Sequence, residues 1–181
     1  MQNGHHAEEP SGFLQFVLQQ ESWSASPGTA LDIACGRGRN ALFLAERGWA
    51  VEAIDISDVA LQETKKRAEG KGLSLSVRQA DLDYCELAEA AYDLVINFDF
   101  LQRSLIGKIK KAVKVCGYVI FETFLIDQQV LGHPKNPEYL LRHNELLGWF
   151  RDFRVLYYRE GMFSQGEKRS YRASLLAQRQ I

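Results

Sequence analysis

A chain of 181 residues, 46% of them hydrophobic and 25% charged, suits one domain with one sizeable core. The formal net charge of -1 gives no general attraction to nucleic acid or to an anionic membrane, so neither is an expected partner. Cys35, Cys85 and Cys116 are far apart and have no metal-like spacing. The sequence therefore predicts no disulfide framework, no metal site and a cytoplasmic location.

The N-terminal residues 1–10 lack the basic start and apolar core of a signal peptide, and we expect them to form a flexible tail. No apolar run reaches about 18 residues, so no membrane span is predicted. The remaining residues, 11–181, are predicted to form a single domain. It opens with SGFLQFVL (11–18), whose apolar spacing is typical of an amphipathic helix.

Five apolar runs flanked by turn residues predict buried strands, at 30–35, 50–55, 73–79, 93–98 and 117–124. Helical patterns lie between the first three runs. NALFLAERG (40–48) ends at a glycine, and SDVALQETKKRAEG (57–70) begins at Ser57, a favourable helix cap. This β-α-β-α-β alternation predicts a doubly wound α/β fold with a mostly parallel seven-stranded sheet and helices on both faces.

The last third of the chain has a different pattern. FRVLYYRE (153–160) and SYRASLLAQ (170–178) are strand-like runs joined by a polar loop that begins at Gly161. They predict an antiparallel hairpin at the C-terminal end of the sheet. Upstream, Asn-Pro-Glu at 136–138 predicts a helix start, and a second helical piece is expected over 144–150.

Gly36 and Gly38 lie between the first strand and the first helix, where a backbone turns tightly and a ligand can approach without a Cβ in the way. Two ligands are compatible with this turn. GRGRNA (36–41) has the spacing of a dinucleotide-binding loop, with Asp55 standing 19 positions after Gly36 as a candidate ribose ligand of a nicotinamide-dependent oxidoreductase. Asp32 favours the other ligand, because it would repel a pyrophosphate and attract the ammonium group of an amino-acid-bearing nucleoside.

LDIACGRGRNALFLAERG (31–48) followed by VEAIDIS (51–57) resembles the first two motifs of the Rossmann-like, class I S-adenosylmethionine-dependent methyltransferases. Within that family, GRGRN is most similar to the tellurite-resistance protein B-like branch. YDLVINF (92–98) and GYVIFETF (117–124) stand where such enzymes place later motifs, so the resemblance covers most of the chain. It implies S-adenosylmethionine as the cofactor and methyl transfer as the reaction.

The resemblance also implies a set of cofactor-binding residues. They are Asp32, Ala34, Gly36, Gly38, Asn40, Asp55, Ile56, Asp81, Leu82 and Asn97. Asp32 and the glycine loop would hold the methionyl end, and Asp55 the two ribose hydroxyls. Asp81 would accept from the adenine amino group while Ile56 packs on the ring. Leu82 would offer a backbone amide, and Asn97 would lie beside the sulfonium.

Two positions depart from the glycines of the family. Ala34 replaces the first glycine of the loop, and Cys116 stands before the fifth strand where glycine is common. Neither residue adds much bulk compared with glycine, so we expect the chain to bind the cofactor despite these two replacements. Two assigned residues also have structural alternatives: a helix cap or turn for Asp81, and a turn residue for Asn97.

Three residues are candidates for a catalytic role: Asn97, Glu122 and Arg103. A methyl group on a sulfonium is already activated, so its transfer requires mainly positioning and exclusion of water. Glu122 is the candidate base for an acceptor that must lose a proton; the alternative is a pairing with a lysine in a helix interface. Arg103 would bind an anionic acceptor, and its alternative is an ordinary surface salt bridge.

The acceptor is expected to be a small molecule, with oxyanions and soft nucleophiles as candidates, since no macromolecule-binding extension is predicted. The candidate pocket residues are Phe13, Phe16, His133, Tyr139 and Arg142, together with the aromatic wall residues Phe98, Phe100 and Phe124. A protein of another class, which binds S-adenosylmethionine for regulation without turnover, remains the alternative function.

Overall fold

The computed structural model describes residues 9–20, 25–165 and 168–181, so residues 1–8 of the predicted tail lie outside it. The strands of the described chain are β1 (Thr29–Ile33), β2 (Ala50–Asp55), β3 (Leu75–Gln79), β4 (Tyr92–Phe98), β5 (Val113–Phe124), β6 (Arg154–Gln165) and β7 (Lys168–Gln178). The helices are α1 (Gly12–Leu18), α2 (Arg39–Ala45), α3 (Asp58–Gly70), α4 (Ile106–Ala112) and α5 (Glu145–Trp149), with short 3-10 turns at Arg103–Leu105, Ile126–Val130 and Pro137–Tyr139.

The strands form one seven-stranded sheet in the order β3-β2-β1-β4-β5-β7-β6. Strands β1 to β5 pair in parallel, whereas β7 is antiparallel to both of its neighbours. The predicted mixed sheet with an antiparallel C-terminal hairpin is therefore confirmed. None of the helices in the described ranges is long and apolar enough to cross a membrane.

Neighbouring residues of the central strands point to opposite faces of the sheet, and both faces are buried. Leu31 and Val95 belong to a core cluster covered by α4 and α5, whereas Ala30 and Leu94 belong to a second cluster covered by α1, α2 and α3. Because helices cover both faces, the strands are apolar at successive positions rather than alternating. This arrangement brings the carboxyl ends of the parallel strands to one open edge, where ligands bind in such folds.

Side-chain caps begin two of the helices. The Ser57 hydroxyl accepts from the Ala60 amide at 3.3 Å at the start of α3, as the sequence predicts. The Ser11 hydroxyl accepts from the Phe13 amide at 3.2 Å at the start of α1. Each serine satisfies an amide that the first helical turn leaves without a backbone partner.

The hairpin differs from the prediction. No polar loop begins at Gly161, because β6 continues to Gln165 and β7 starts at Lys168, with Gly161 paired to Arg172. The ladder is made by backbone groups, so polar side chains do not end it when one face is open to solvent. The helix predicted at 136–138 is likewise a single 3-10 turn, which Asn136 caps by accepting from the Glu138 amide.

Candidate active site

The loop between β1 and α2 turns through three residues in the left-handed region. Ala34, Gly36 and Gly38 have φ values of 53°, 53° and 69°. A Cβ added to Gly36 would meet nothing within 4 Å, whereas one added to Gly38 would lie 2.2 Å from Cγ2 of Thr64. Gly36 thus borders open space in which a ligand can approach, and Gly38 is required by the packing of the loop against α3.

Asp32 lies in β1, two residues before this turn, and is only 2% exposed. Its Oδ2 has no hydrogen-bond partner among the described residues. Burial raises the pKa of this carboxyl to about 7, an effect that the Ala41 amide and the Arg39 charge oppose. An unpaired buried carboxylate oxygen is unfavourable unless a ligand donates to it, so Asp32 suits a cationic N–H group at this position.

Asp55 ends β2 and holds the glycine loop in place. Its Oδ2 accepts from the Gly36 amide at 2.7 Å, and its Oδ1 accepts from the Ser57 amide at 2.9 Å. A carboxylate oxygen can accept more than one hydrogen bond, so these contacts leave room for an external donor. The adjacent Ile56 side chain is 64% exposed and offers an apolar surface. We call Asp32, Gly36, Asp55 and Ile56 the glycine-loop site.

The remaining residues predicted for the cofactor make local contacts. Asp81 is exposed, and its Oδ1 accepts from the Asp83 amide at 3.0 Å, which is the turn predicted as its alternative. Leu82 is buried in the core cluster that α4 and α5 cover. Asn97 is buried near the end of β4 and donates from Nδ2 to the Phe100 carbonyl at 2.8 Å. The roles of all three toward a cofactor stay predictions.

Asn40 connects α2 to the start of α1. It is buried, and its Oδ1 accepts from the Ser11 amide at 2.8 Å. This contact fixes α1, whose Phe13 side chain packs into the core of the sheet. The predicted amphipathic helix therefore lies against the sheet, beside the open edge.

A cavity of about 730 Å³ lies next to the glycine-loop site, and we call it the hairpin cavity. Its lining comes from α1, from the ends of β4 and β5, and from the hairpin, and includes Phe13, Phe16, Asp99, Glu122, Tyr157 and Arg172. Arg39 of α2 also lines it, so the cavity adjoins the loop that follows β1. Of the predicted aromatic wall residues, Phe124 lines this cavity, whereas Phe98 and Phe100 contribute to the core clusters.

Four charged side chains form a chain along the hairpin cavity. Asp99 pairs with Arg39 at 2.8 Å and also with Arg172, whose Nη1 lies 3.6 Å from Oε1 of Glu122. Two positive and two negative charges therefore balance each other. Arg172 also lies over the Phe124 ring, 4.1 Å from its centroid, so the guanidinium bridges the charged and aromatic parts of the cavity.

Glu122 is the buried member of this chain, at 7% exposure. Its Oε2 accepts from the Ser174 hydroxyl at 2.6 Å and its Oε1 from the Ser11 hydroxyl at 3.4 Å. Burial raises the pKa of this carboxyl, and the Arg172 charge opposes that rise. The alternative predicted for Glu122, a lysine pair in a helix interface, is wrong: the side chain faces the cavity and its charged neighbour is an arginine.

Arg103 lies outside the lining of the hairpin cavity. Its guanidinium donates to both carboxylate oxygens of Glu145, at 2.8 and 3.1 Å. It also donates to the carbonyl oxygens of Glu138 and Leu140, each at 2.9 Å. These contacts tie residues 138–145 to the turn after β4 and match the salt-bridge alternative, and a role of Arg103 toward an acceptor stays a prediction. His133 and Tyr139 line a shallow adjoining pocket, and Arg142 is exposed.

Comparisons with known proteins agree with this geometry. Residues 30–117 match the family model of a methyltransferase domain. A probable S-adenosyl-L-methionine-dependent methyltransferase of Haemophilus influenzae, TehB, is 28% identical over 144 residues, which are 76% of this chain and 50% of that protein. The crystal structure of TehB from the same organism matches with a TM-score of 0.75 and 25% identity, covering 86% of this chain and 58% of that chain.

The chain has the class I S-adenosylmethionine-dependent methyltransferase fold. The sequence resemblance to the TehB-like branch is thereby confirmed. A ubiquinone biosynthesis O-methyltransferase of Alkalilimnicola ehrlichii is also similar, with 34% identity over 51% of this chain and 40% of that protein. The chain spans about half the length or less of these curated relatives.

S-adenosylmethionine is the cofactor named in the description of the TehB relative, and the glycine-loop site fits it. The unpaired Oδ2 of Asp32 suits an ammonium group, and the open space beside Gly36 leaves room for the methionyl chain. Asp55 and the exposed Ile56 lie next along the same edge, where a ribose and a flat ring would follow. The oxidoreductase alternative has no support from the family match.

The methyltransferase fold also brings together residues that sequence reasoning missed. They are Ser11, Arg39, Asp99, Tyr157, Arg172 and Ser174. Asp99 directly follows the apolar run of β4, so its position at a strand end was a usable signal. Arg172 and Ser174 lie within a strand-like run of the hairpin, and no local pattern distinguishes them from surface residues.

Proposed function

We propose that this protein transfers the methyl group of S-adenosylmethionine to a small-molecule acceptor bound in the hairpin cavity. The observation that carries the proposal is Asp32, a buried carboxylate with an unpaired oxygen just before the open turn at Gly36. A simple strand-to-helix turn does not require a buried carboxylate, and leaving one unpaired is unfavourable for folding. Its presence here points to a bound cation at this edge.

The binding roles follow the order of the strands along the edge. Asp32 at β1 binds the ammonium group of the methionyl moiety, and Asp55 at β2 binds the ribose hydroxyls. Ile56 covers the adenine ring, and the exposed Asp81 after β3 accepts from its amino group. These assignments are supported by the placement of each residue at the carboxyl end of neighbouring parallel strands.

When bound, S-adenosylmethionine supplies a methyl group that passes to an acceptor lone pair as the carbon–sulfur bond breaks and its electrons return to sulfur. The protein contributes position and exclusion of water, and the aromatic side chains Phe13 and Phe124 of the cavity serve both purposes. An acceptor hydroxyl must also lose a proton, and Glu122, which lines the cavity, is our candidate base for it. A thiolate or an oxyanion requires no such base.

A second candidate function is a regulatory protein that binds S-adenosylmethionine without turnover. One observation favours it: both oxygens of Glu122 already accept hydrogen bonds, from Ser174 and Ser11. If those bonds persist in the loaded protein, they stabilise the carboxylate and oppose the rise in its pKa, so Glu122 is a weaker base.

The first test is calorimetric titration with S-adenosylmethionine, S-adenosylhomocysteine and NAD, followed by an assay for S-adenosylhomocysteine formation with hydroxyl, thiol, carboxylate and oxyanion acceptors. We expect micromolar binding of the first two ligands, no binding of NAD, and product formation that depends on the acceptor. Binding without turnover across the panel would favour the regulatory function. Binding of NAD alone would contradict both functions.

A further inference from the structure

The hairpin cavity is much larger than a small inorganic acceptor requires. Its volume is about 730 Å³, whereas a water-sized group takes roughly 30 Å³. An oxyanion of a few heavy atoms would leave most of this space to water. Cavities of about 300–1000 Å³ are typical of sites for organic ligands, so the size of the cavity favours an organic acceptor.

One wall of the cavity is aromatic. The Tyr157 ring lies 5.4 Å from the ring centroid of Phe13 and 5.2 Å from that of Phe16. Phe16 remains 40% exposed although it lines the cavity. Exposed aromatic faces within a concave site are suited to the flat apolar body of a ligand.

The cavity also has a surplus of positive charge. Two positive and two negative charges cancel in the chain formed by Arg39, Asp99, Arg172 and Glu122. Of the other charged lining residues, Arg159 and Arg169 are positive and Glu9 is negative, which leaves one net positive charge. Neither arginine forms an ion pair with an acidic side chain in the described part of the chain.

Arg159 is well placed to use that charge. In the hairpin register it lies opposite Ser174, the residue whose hydroxyl donates to Glu122. Directly opposed side chains share one face of a sheet. Arg159 therefore lies on the same face as Ser174 and Glu122, which is the face that lines the cavity. Its guanidinium lies 4.0 Å from the ring centroid of Phe163, another lining residue. One of its Nη groups donates to the Met162 carbonyl at 3.3 Å, and the remaining N–H groups are available to a carboxylate or similar group.

We propose that the methyl acceptor is an organic anion with an aromatic or similarly flat body. Its acidic group binds Arg159, its body lies on Phe16 and Tyr157, and its reacting atom is directed toward Glu122. This inference rests on the proposed function and names the acceptor class. A small inorganic oxyanion offers an acidic group but no body for the aromatic wall.

Binding of two matched probes tests the proposal. The first is 1-naphthoate and the second is 1-naphthamide, which has nearly the same shape and no charge. Each is titrated by calorimetry into the full chain saturated with S-adenosylhomocysteine. We expect 1-naphthoate to bind at least about tenfold more tightly than the amide, because an arginine–carboxylate pair contributes on this scale.

Variants separate the charge from the aromatic wall. Arg159→Gln should remove the preference for the acid, and Arg159→Lys should keep part of it. The control Arg151→Gln changes an exposed arginine outside the cavity lining and should leave the preference unchanged. Phe16→Ala should weaken the binding of both probes by about tenfold, because it removes a ring from the wall.

Several outcomes would overturn the acceptor class while leaving the proposed function intact. Among them are failure of 1-naphthoate to bind a protein that does bind S-adenosylhomocysteine, equal binding of acid and amide, and a preference for the acid that survives Arg159→Gln. Selenite-dependent formation of S-adenosylhomocysteine that 1-naphthoate does not inhibit would also overturn it. Failure of S-adenosylhomocysteine itself to bind would overturn the proposed function and this inference together.

Discussion

The glycine-loop site is made by one short stretch of chain, whereas the hairpin cavity is made by five separate ones. The hydrogen bond between the Gly36 amide and Asp55 joins residues 19 positions apart, and the bond between Ser11 and Glu122 joins residues 111 positions apart. The first site is therefore determined by a single β-α-β unit. The second depends on the complete sheet, and a change in any of its segments can alter its shape.

The largest expected effect is that of a substitution at Asp32, which belongs to the glycine-loop site and not to the lining of the hairpin cavity. Asp32→Asn should weaken S-adenosylmethionine binding about 1000-fold or more, because the ammonium group loses its buried anionic partner. Calorimetry on the variant tests this. Asp152→Asn, which changes an exposed carboxylate paired with Lys110, is the control and should bind normally. Retention of binding by Asp32→Asn would remove the main support for the proposed function.

The second effect is a pH dependence that belongs to Asp32. Burial raises its pKa from 3.8 to about 7 in the folded protein. At pH values between these two, the folded state therefore keeps a proton on Asp32 that the unfolded state has lost. Stability must then fall as pH rises from about 4 to about 7, by at most about 4 kcal/mol, and stay level above that range. Urea unfolding of wild type and Asp32→Asn at several pH values should show a smaller decline in the variant. Equal pH profiles would contradict this assignment.

The third effect distinguishes the two glycines of the loop. Gly38→Ala should lower the free energy of unfolding by about 2–3 kcal/mol, because its Cβ would overlap Thr64, and Thr64→Ala in the same chain should restore part of the loss. Gly36→Ala should lower it by only about 1 kcal/mol, from its positive φ alone. It should nevertheless reduce S-adenosylmethionine affinity at least about tenfold, since the new methyl group enters the ligand space. Normal affinity in Gly36→Ala would mean that the open space is not the binding site.

The fourth effect tests the structural role of Arg103. Arg103→Ala should lower the free energy of unfolding by about 2 kcal/mol, because charged hydrogen bonds to Glu145 and to two carbonyl groups are lost. Arg103→Lys should recover little, since lysine cannot make the two parallel bonds to Glu145. Both variants should bind S-adenosylmethionine normally. If turnover falls in Arg103→Lys while stability does not, the residue acts on the substrate instead.

The smallest effect concerns the two positions where the family has glycine. Ala34 and Cys116 both have positive φ, at 53° and 66°. Ala34→Gly and Cys116→Gly should each raise the free energy of unfolding by about 0.5–1 kcal/mol, because glycine adopts this region without strain. Ala60→Gly, inside α3, is the control and should lower stability by about 1 kcal/mol. A loss of stability in both test variants would show that other contacts of these side chains outweigh the strain.

The glycine-loop site could be predicted from the sequence because its pattern is local. Consecutive apolar runs, a helix cap at Ser57 and two spaced glycines predict the first β-α-β unit and place Asp32 and Asp55 at strand ends. The sheet edge then follows, since parallel strands joined by helices bring their carboxyl ends together. The sequence does not predict the packing role of Gly38, because its close approach to Thr64 is a contact between the loop and α3.

The hairpin cavity could be predicted from the sequence only in part. The sequence predicts Glu122 and Phe16 as site candidates, but no sequence pattern shows that Arg172, Ser174 and Ser11 converge on Glu122. The polar residues after Gly161 suggested a loop, although backbone pairing continues the strands through them. For Arg103 the sequence leaves a substrate contact and a salt bridge both open, because an arginine after a strand end is compatible with either, and only the fold brings it to Glu145.

Sequence by itself therefore determined the fold class, the cofactor family and the strand-end carboxylates, because each is expressed over a few tens of residues by periodicity and turn chemistry. Tertiary structure alone decided which charges pair, which glycine meets a side chain and which residues enclose the cavity. The physical reason is that burial and ion pairing depend on distances between segments. Those distances are established only when the antiparallel hairpin and α1 pack beside the parallel strands.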